Sequence, residues 1–132
     1  MLTFPYLQKG RQSFPVVDVT LRSSTRPLII KALVDSGATF SVFRAEVLEY
    51  LGIPLARGQS VCLEGIGGRI LGYRHRIRAQ VGAVRFQHTI IFSQELAVSF
   101  NLLGRDNFFQ QFLVTFDERG RTVQLRPYAQ GV

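Results

Sequence analysis

The stretch that decides the fold runs Pro27-Leu28-Ile29-Ile30-Lys31-Ala32-Leu33-Val34-Asp35-Ser36-Gly37-Ala38-Thr39. From Pro27 to Val34 it is almost continuously apolar and rich in branched side chains, the composition of a strand buried on both faces. The run breaks at Asp35-Ser36-Gly37, where short polar side chains and a glycine suit a turn. A carboxylate at the mouth of an apolar strand carries a desolvation cost that a plain turn does not require. Asp35 is therefore the first candidate for chemistry, although a loop with no function can also use Asp-Ser-Gly.

Working outward, Val17, Val19 and Leu21 alternate with Asp18 and Thr20, so Phe14 to Arg22 reads as a half-buried strand. After the turn, Arg44 to Leu51 reads as a short helix stopped by Gly52 and Pro54. Ser60 to Glu64 and Arg69 to Val81 read as strands joined by Gly65-Ile66-Gly67-Gly68, whose glycines permit the positive φ of a tight hairpin. In the next strand, Val84 to Phe92, the residues Val84, Phe86, His88, Ile90 and Phe92 share a face. A second short helix is expected over Asn107 to Phe112. Leu113 to Phe116 and Thr122 to Arg126 form a terminal hairpin around Asp117-Glu118-Arg119-Gly120. No linker, repeat or low-complexity tract interrupts the pattern, so residues 1–132 are expected to form one domain. Many short strands with one or two brief helices predict an all-β fold, a small closed barrel or a sandwich.

Composition narrows the chemistry. The 132 residues are 46% apolar and 19% charged, which excludes a disordered or acidic solvating segment. A single cysteine, Cys62, excludes an intrachain disulfide framework and a multi-cysteine zinc site; its apolar surroundings predict a buried structural thiol. His75 and His88 lack a metal-ligand spacing and are expected to pack in the core or on the surface, so no metal and no cofactor are expected. Phe108, Phe109, Phe112 and Phe116 read as core or interface material. No run has the length of a membrane span, and the first residues lack a basic segment followed by an apolar one; a cytoplasmic setting without membrane contact is expected. The net charge of +7 rests on 14 arginines and two lysines. Arg74, Arg76 and Arg78 alternate with Tyr73, His75 and Ile77, which places them on the wet face of a strand. Nucleic acid is not the expected partner, because no aromatic RNA-binding motif or helix-turn-helix pattern accompanies them.

Three motifs in order, Leu33-Val34-Asp35-Ser36-Gly37-Ala38, Glu64-Gly65-Ile66-Gly67-Gly68-Arg69-Ile70 and Asn101-Leu102-Leu103-Gly104-Arg105-Asp106, resemble those of the retropepsin-like aspartic proteases. The resemblance covers about residues 14–125. It implies a small closed β-barrel acting as a homodimer, with Asp35 catalytic and Ser36, Gly37, Ala38 and Thr39 supporting the active-site loop. It further implies that Gly65, Ile66, Gly67 and Gly68 form a flap over a peptide or unfolded-protein substrate. Leu102, Leu103, Gly104, Arg105 and Asp106 would then brace the loop from behind. Two departures stand out. Ser36 replaces the more frequent threonine, and Thr39 stands where retroviral enzymes commonly carry an acid, so Arg105 lacks that partner.

A pair of carboxyls can hydrolyse a peptide bond without a metal, because two like charges held side by side retain one proton between them. The chain has one Asp-Ser-Gly and no second copy, so a monomer would carry half a site and a symmetric dimer would complete it. The expected activity is an aspartic endopeptidase. A catalytically silent peptide- or protein-binding module on the same fold and a basic nucleic-acid-binding β-domain are the alternatives.

Overall fold

The computed structural model describes residues 1–24, 26–65 and 68–129. Its strands are β1 (Leu2–Pro5), β2 (Leu7–Lys9), β3 (Gln12–Phe14), β4 (Val16–Arg22), β5 (Pro27–Val34) and β6 (Ser41–Arg44). After helix α1 (Ala45–Leu51) come β7 (Gln59–Gly65), β8 (Gly68–Val81), β9 (Val84–Ser93), β10 (Asn101–Leu103), β11 (Phe112–Asp117) and β12 (Thr122–Pro127). The helix expected over Asn107 to Phe112 is only a 3-10 turn, Phe108–Gln110, with another at Leu55–Arg57. Among the described residues no helix is long and apolar enough to cross a membrane.

The large sheet closes on itself. Its order is β4-β5-β10-β6-β9-β8-β7, and β4 also pairs with β8 through Thr20↔Gln80, Leu21↔Ala79 and Arg22↔Arg78. The fold is therefore mainly β and barrel-like, with β7 outside the ring. Alternation along the strands explains which residues fill it: Val17, Val19 and Leu21 of β4 and Ile77, Ala79 and Val81 of β8 are buried, while Arg22, Arg76 and Arg78 stay exposed. β5 departs from the reading as a strand buried on both faces. Ala32 and Val34 point inward, but Ile29 is 69% exposed and Lys31 is exposed, ion-paired with Asp18 at 2.9 Å. In a ring only the inner face of a strand has a core to enter.

The chain ends form a second layer. β1, β12 and β11 make a three-stranded sheet in which Phe4 lies opposite Val123 and Leu2 opposite Leu125. Its inner residues meet an aromatic cluster: Phe108 and Phe112 are fully buried, with Phe86 at 6.4 and 6.0 Å between ring centroids. Each such ring contributes about 2–3 kcal/mol through burial alone. Phe109 is half-buried, and Phe116, on the outer part of β11, is exposed.

Candidate active site

The apolar run of β5 delivers Asp35 to one end of the barrel, and the turn after it is locked from several sides. The Asp35 N–H donates to the Leu103 carbonyl (3.0 Å), and the Ala38 N–H closes the turn onto the Asp35 carbonyl (3.1 Å). Gly37 N–H donates to Asp35 Oδ1 at 2.9 Å, the local bond by which an aspartate holds its own turn. The Asp35 side chain is half-buried.

The brace comes from β10, which lies between β5 and β6: Leu102 pairs with Leu33 on one side and Val42 on the other. Beyond it, Arg105 N–H donates to the Ala38 carbonyl (2.9 Å) and Asp106 N–H to the Thr39 carbonyl (2.8 Å). Between them Gly104 lies so close to the loop that an added Cβ would stand 2.3 Å from the carbonyl carbon and oxygen of Phe40. Only glycine fits there. The Gly104 N–H donates to Ser41 Oγ (3.0 Å), which in turn sits 2.9 Å from His88 Nε2. His88 is wholly buried beside the rings of Phe43, Phe86 and Phe108, and that burial lowers its pKa to about 3. The imidazole is thus neutral, so the Ser41 hydroxyl can donate to Nε2 while accepting from Gly104. His88 Nδ1 has no partner among the described residues.

Asp35 opens onto a groove of about 740 Å³. Gly37 and Thr39 lie on its floor beside Asp35, Leu63 and Ile70 come from the β7–β8 hairpin, and Val98 and Leu102 add apolar surface. Residues 68–72 of β8 pair only with β7, so this hairpin extends past the ring. Gly65 pairs with Gly68, whose φ of +107° favours glycine. Ile66 and Gly67, expected at the tip, lie outside the described residues. A clamp holds the base of the hairpin. Ser93 Oγ donates to the Leu71 carbonyl (2.7 Å), and Leu71 N–H donates to Glu95 Oε1 (3.1 Å). Cys62 corrects the expectation of a buried thiol: it is exposed and lines the groove, because the hairpin carrying it has no core beneath it.

The other expected residues divide by burial. Leu103 and Gly104 are buried, Leu102 and Ala38 are half-buried, and Ser36, Thr39, Arg105 and Asp106 are exposed. Position 39 offers Arg105 no acid, and among the described residues Arg105 makes no ion pair with any other; its backbone does the bracing. Four polar residues at the site, Ser41, His88, Ser93 and Glu95, carry no site role in the sequence. Asn101, the first residue of the third motif, adds a bond through its Oδ1, which accepts from Arg44 N–H at 2.8 Å. Of the four only His88 left a signal, as a polar residue on an otherwise apolar strand face. Among the described residues, no three His, Cys, Asp or Glu side chains come together in a way that could hold a metal ion.

The sequence model of one protein family, described as aspartyl protease, matches residues 17–107, a span that includes the Asp35 turn, the β7–β8 hairpin and the Gly104 brace. No curated protein matches the chain.

Proposed function

Because this chain belongs to the aspartyl protease family, we propose that it is an aspartic endopeptidase whose active site is completed by a second copy of itself. The observation that carries this reading is the position of Asp35, on a cross-braced turn at the floor of a largely apolar groove. One chain supplies one such carboxylate, so Asp35 of each protomer would face its counterpart across a twofold axis.

Two carboxyls that close cannot both ionise, and the pair keeps one proton. The ionised member takes a proton from a water held between them as the water oxygen attacks the scissile carbonyl carbon. The protonated member gives its proton to the carbonyl oxygen, producing a neutral tetrahedral diol. Collapse of the diol breaks the C–N bond, with one proton passing to the leaving nitrogen and another returning to the pair. An extended peptide would lie along the groove, held through main-chain hydrogen bonds as an added strand, with apolar side chains against Leu63, Ile70 and Val98. Gly65, Ile66, Gly67 and Gly68 would close over it as a flap. Ser36 and Thr39 are exposed beside Asp35 and would be free to contact the second copy or the substrate.

The test is Asp35→Asn. Cleavage of an unfolded protein or a peptide library should fall at least about a hundredfold while the sedimentation behaviour stays that of wild type. Undiminished cleavage by this variant would sink the mechanism.

A further inference from the structure

The outer face of the ring, away from the groove, carries a second feature. Arg22 of β4 stands directly opposite Arg78 of β8, and Arg85 of β9 lies beside them; together they rim a depression of about 290 Å³ with Ala79 and Phe86 in its lining. All three arginines are exposed. The Arg22 side chain donates to Gln80 Oε1 (3.0 Å), while the side chains of Arg78 and Arg85 have no hydrogen bond or ion pair among the described residues. Arg76, two residues from Arg78 on the same strand face, extends the row.

Like charges placed directly opposite on neighbouring strands destabilise a sheet. Among the described residues no carboxylate forms an ion pair with them. Residues 68–93 include no Asp or Glu, and Asp18 on β4 is already engaged by Lys31 at 2.9 Å. Guanidinium groups grouped around a concavity are suited to planar anions, which they bind through paired N–H donors. The lining also discriminates among anions. The Phe86 ring packs edge-on toward Phe112 and Phe108 and is half-buried, and no exposed aromatic ring lines the depression. A single-stranded nucleic acid would find no platform on which to stack its bases.

We propose that Arg22, Arg78 and Arg85 form a docking site for an acidic, Glu- or Asp-rich stretch of polypeptide. On the protease reading, on which this part rests, that stretch belongs to the substrate outside the cleaved segment. Arg22 pairs with Pro27, at the opposite end of β5 from Asp35, which puts the two sites about 26 Å apart along the strand. The docking site would therefore select which proteins are presented to the groove without touching the scissile bond.

The experiment combines Arg22→Gln, Arg78→Gln and Arg85→Gln in the full chain, with Arg119→Gln/Arg121→Gln as a charge control elsewhere. Fluorescence anisotropy reads binding of a labelled oligoglutamate peptide and, separately, of an oligothymidylate. Wild type and Asp35→Asn should bind oligoglutamate alike, more weakly as salt rises from about 50 to about 200 mM. The triple variant should lose about tenfold or more of that affinity and the control should lose little. For a peptide substrate bearing an acidic tail, KM should rise in the triple variant with kcat unchanged; the untailed substrate should be cut as before. Equal oligoglutamate affinity in triple variant and wild type would overturn the proposal, as would oligothymidylate binding more tightly than oligoglutamate through these arginines. If no variant cuts any peptide yet oligoglutamate binding still needs the three arginines, the protease reading falls and the docking site stands.

Discussion

The Asp35 turn and the β7–β8 hairpin face the same groove but are held in opposite ways. The turn is bonded to β10, to the segment after β10 and to itself, and Gly104 is packed against it without room for one more carbon. The described part of the hairpin beyond Leu71 pairs only with its own partner strand, and its one ion pair, Glu64–Arg69 at 2.9 Å, is exposed and worth little. The contrast teaches where the precision of such a site lies. On the proposed reading the carboxylate must be held in one geometry, whereas a hairpin that admits a polypeptide has to be free of the barrel.

The largest expected way to break this arrangement is acid acting behind the turn. His88 is held neutral by burial, so below its ordinary pKa of 6.5 the unfolded chain binds a proton that the folded chain refuses. Stability from this group is complete above pH 6.5 and falls as the pH drops toward about 3. The full loss is on the order of 5 kcal/mol. Urea unfolding across that range should show the midpoint dropping steeply, and a flat profile would contradict it. Gly104→Ala attacks the same region sterically. The new methyl group would collide with the Phe40 carbonyl, costing about 3 kcal/mol and displacing the turn, to be read as a lowered Tm together with lost cleavage. The smallest effect is expected at the hairpin. Glu95→Ala removes the acceptor for Leu71 N–H, and global stability should change by only about 1 kcal/mol. KM should rise severalfold with kcat nearly unchanged, and Glu95→Gln, which keeps an acceptor oxygen, should restore it. An equal fall in stability for Glu95→Ala and Gly104→Ala would erase the distinction between the two regions.

The same contrast shows what was legible in the sequence. The Asp35 turn and Gly104 could be read because each motif is local and their order resembles a known family. β5, β8 and β9 could be read because they are long and patterned. β10 could not be read as a strand, since three residues carry no period, and β6 is nearly as short, with only its last residue, Arg44, falling in the helix expected from the sequence. The β1–β12 pairing joins the two chain ends, which no local pattern reveals. Cys62 misled for a physical reason: alternation of apolar residues on β7 signals a strand but does not say whether a core lies beneath it. Ser41 and His88 are adjacent only because β6 and β9 run side by side, with Ser41 paired to Ile90.

The placement of β10 also governs when the site can come into being. β4 and β5 can form their hairpin as soon as both are synthesised, but the position beside β5 is reserved for residues 101–103, not for the β6 strand that follows Asp35 in the chain. Closing such a distant pairing is slow relative to local hairpin formation. While residues 36–100 are being made, therefore, Asp35 exists as a turn without its β10 brace. A nascent or proteolytically shortened chain ending before Asn101 would possess the carboxylate and the local bonds of its turn but not the β10 brace behind it. On the proposed reading, topology would thus withhold activity until residues 101–103 have been made and paired beside β5.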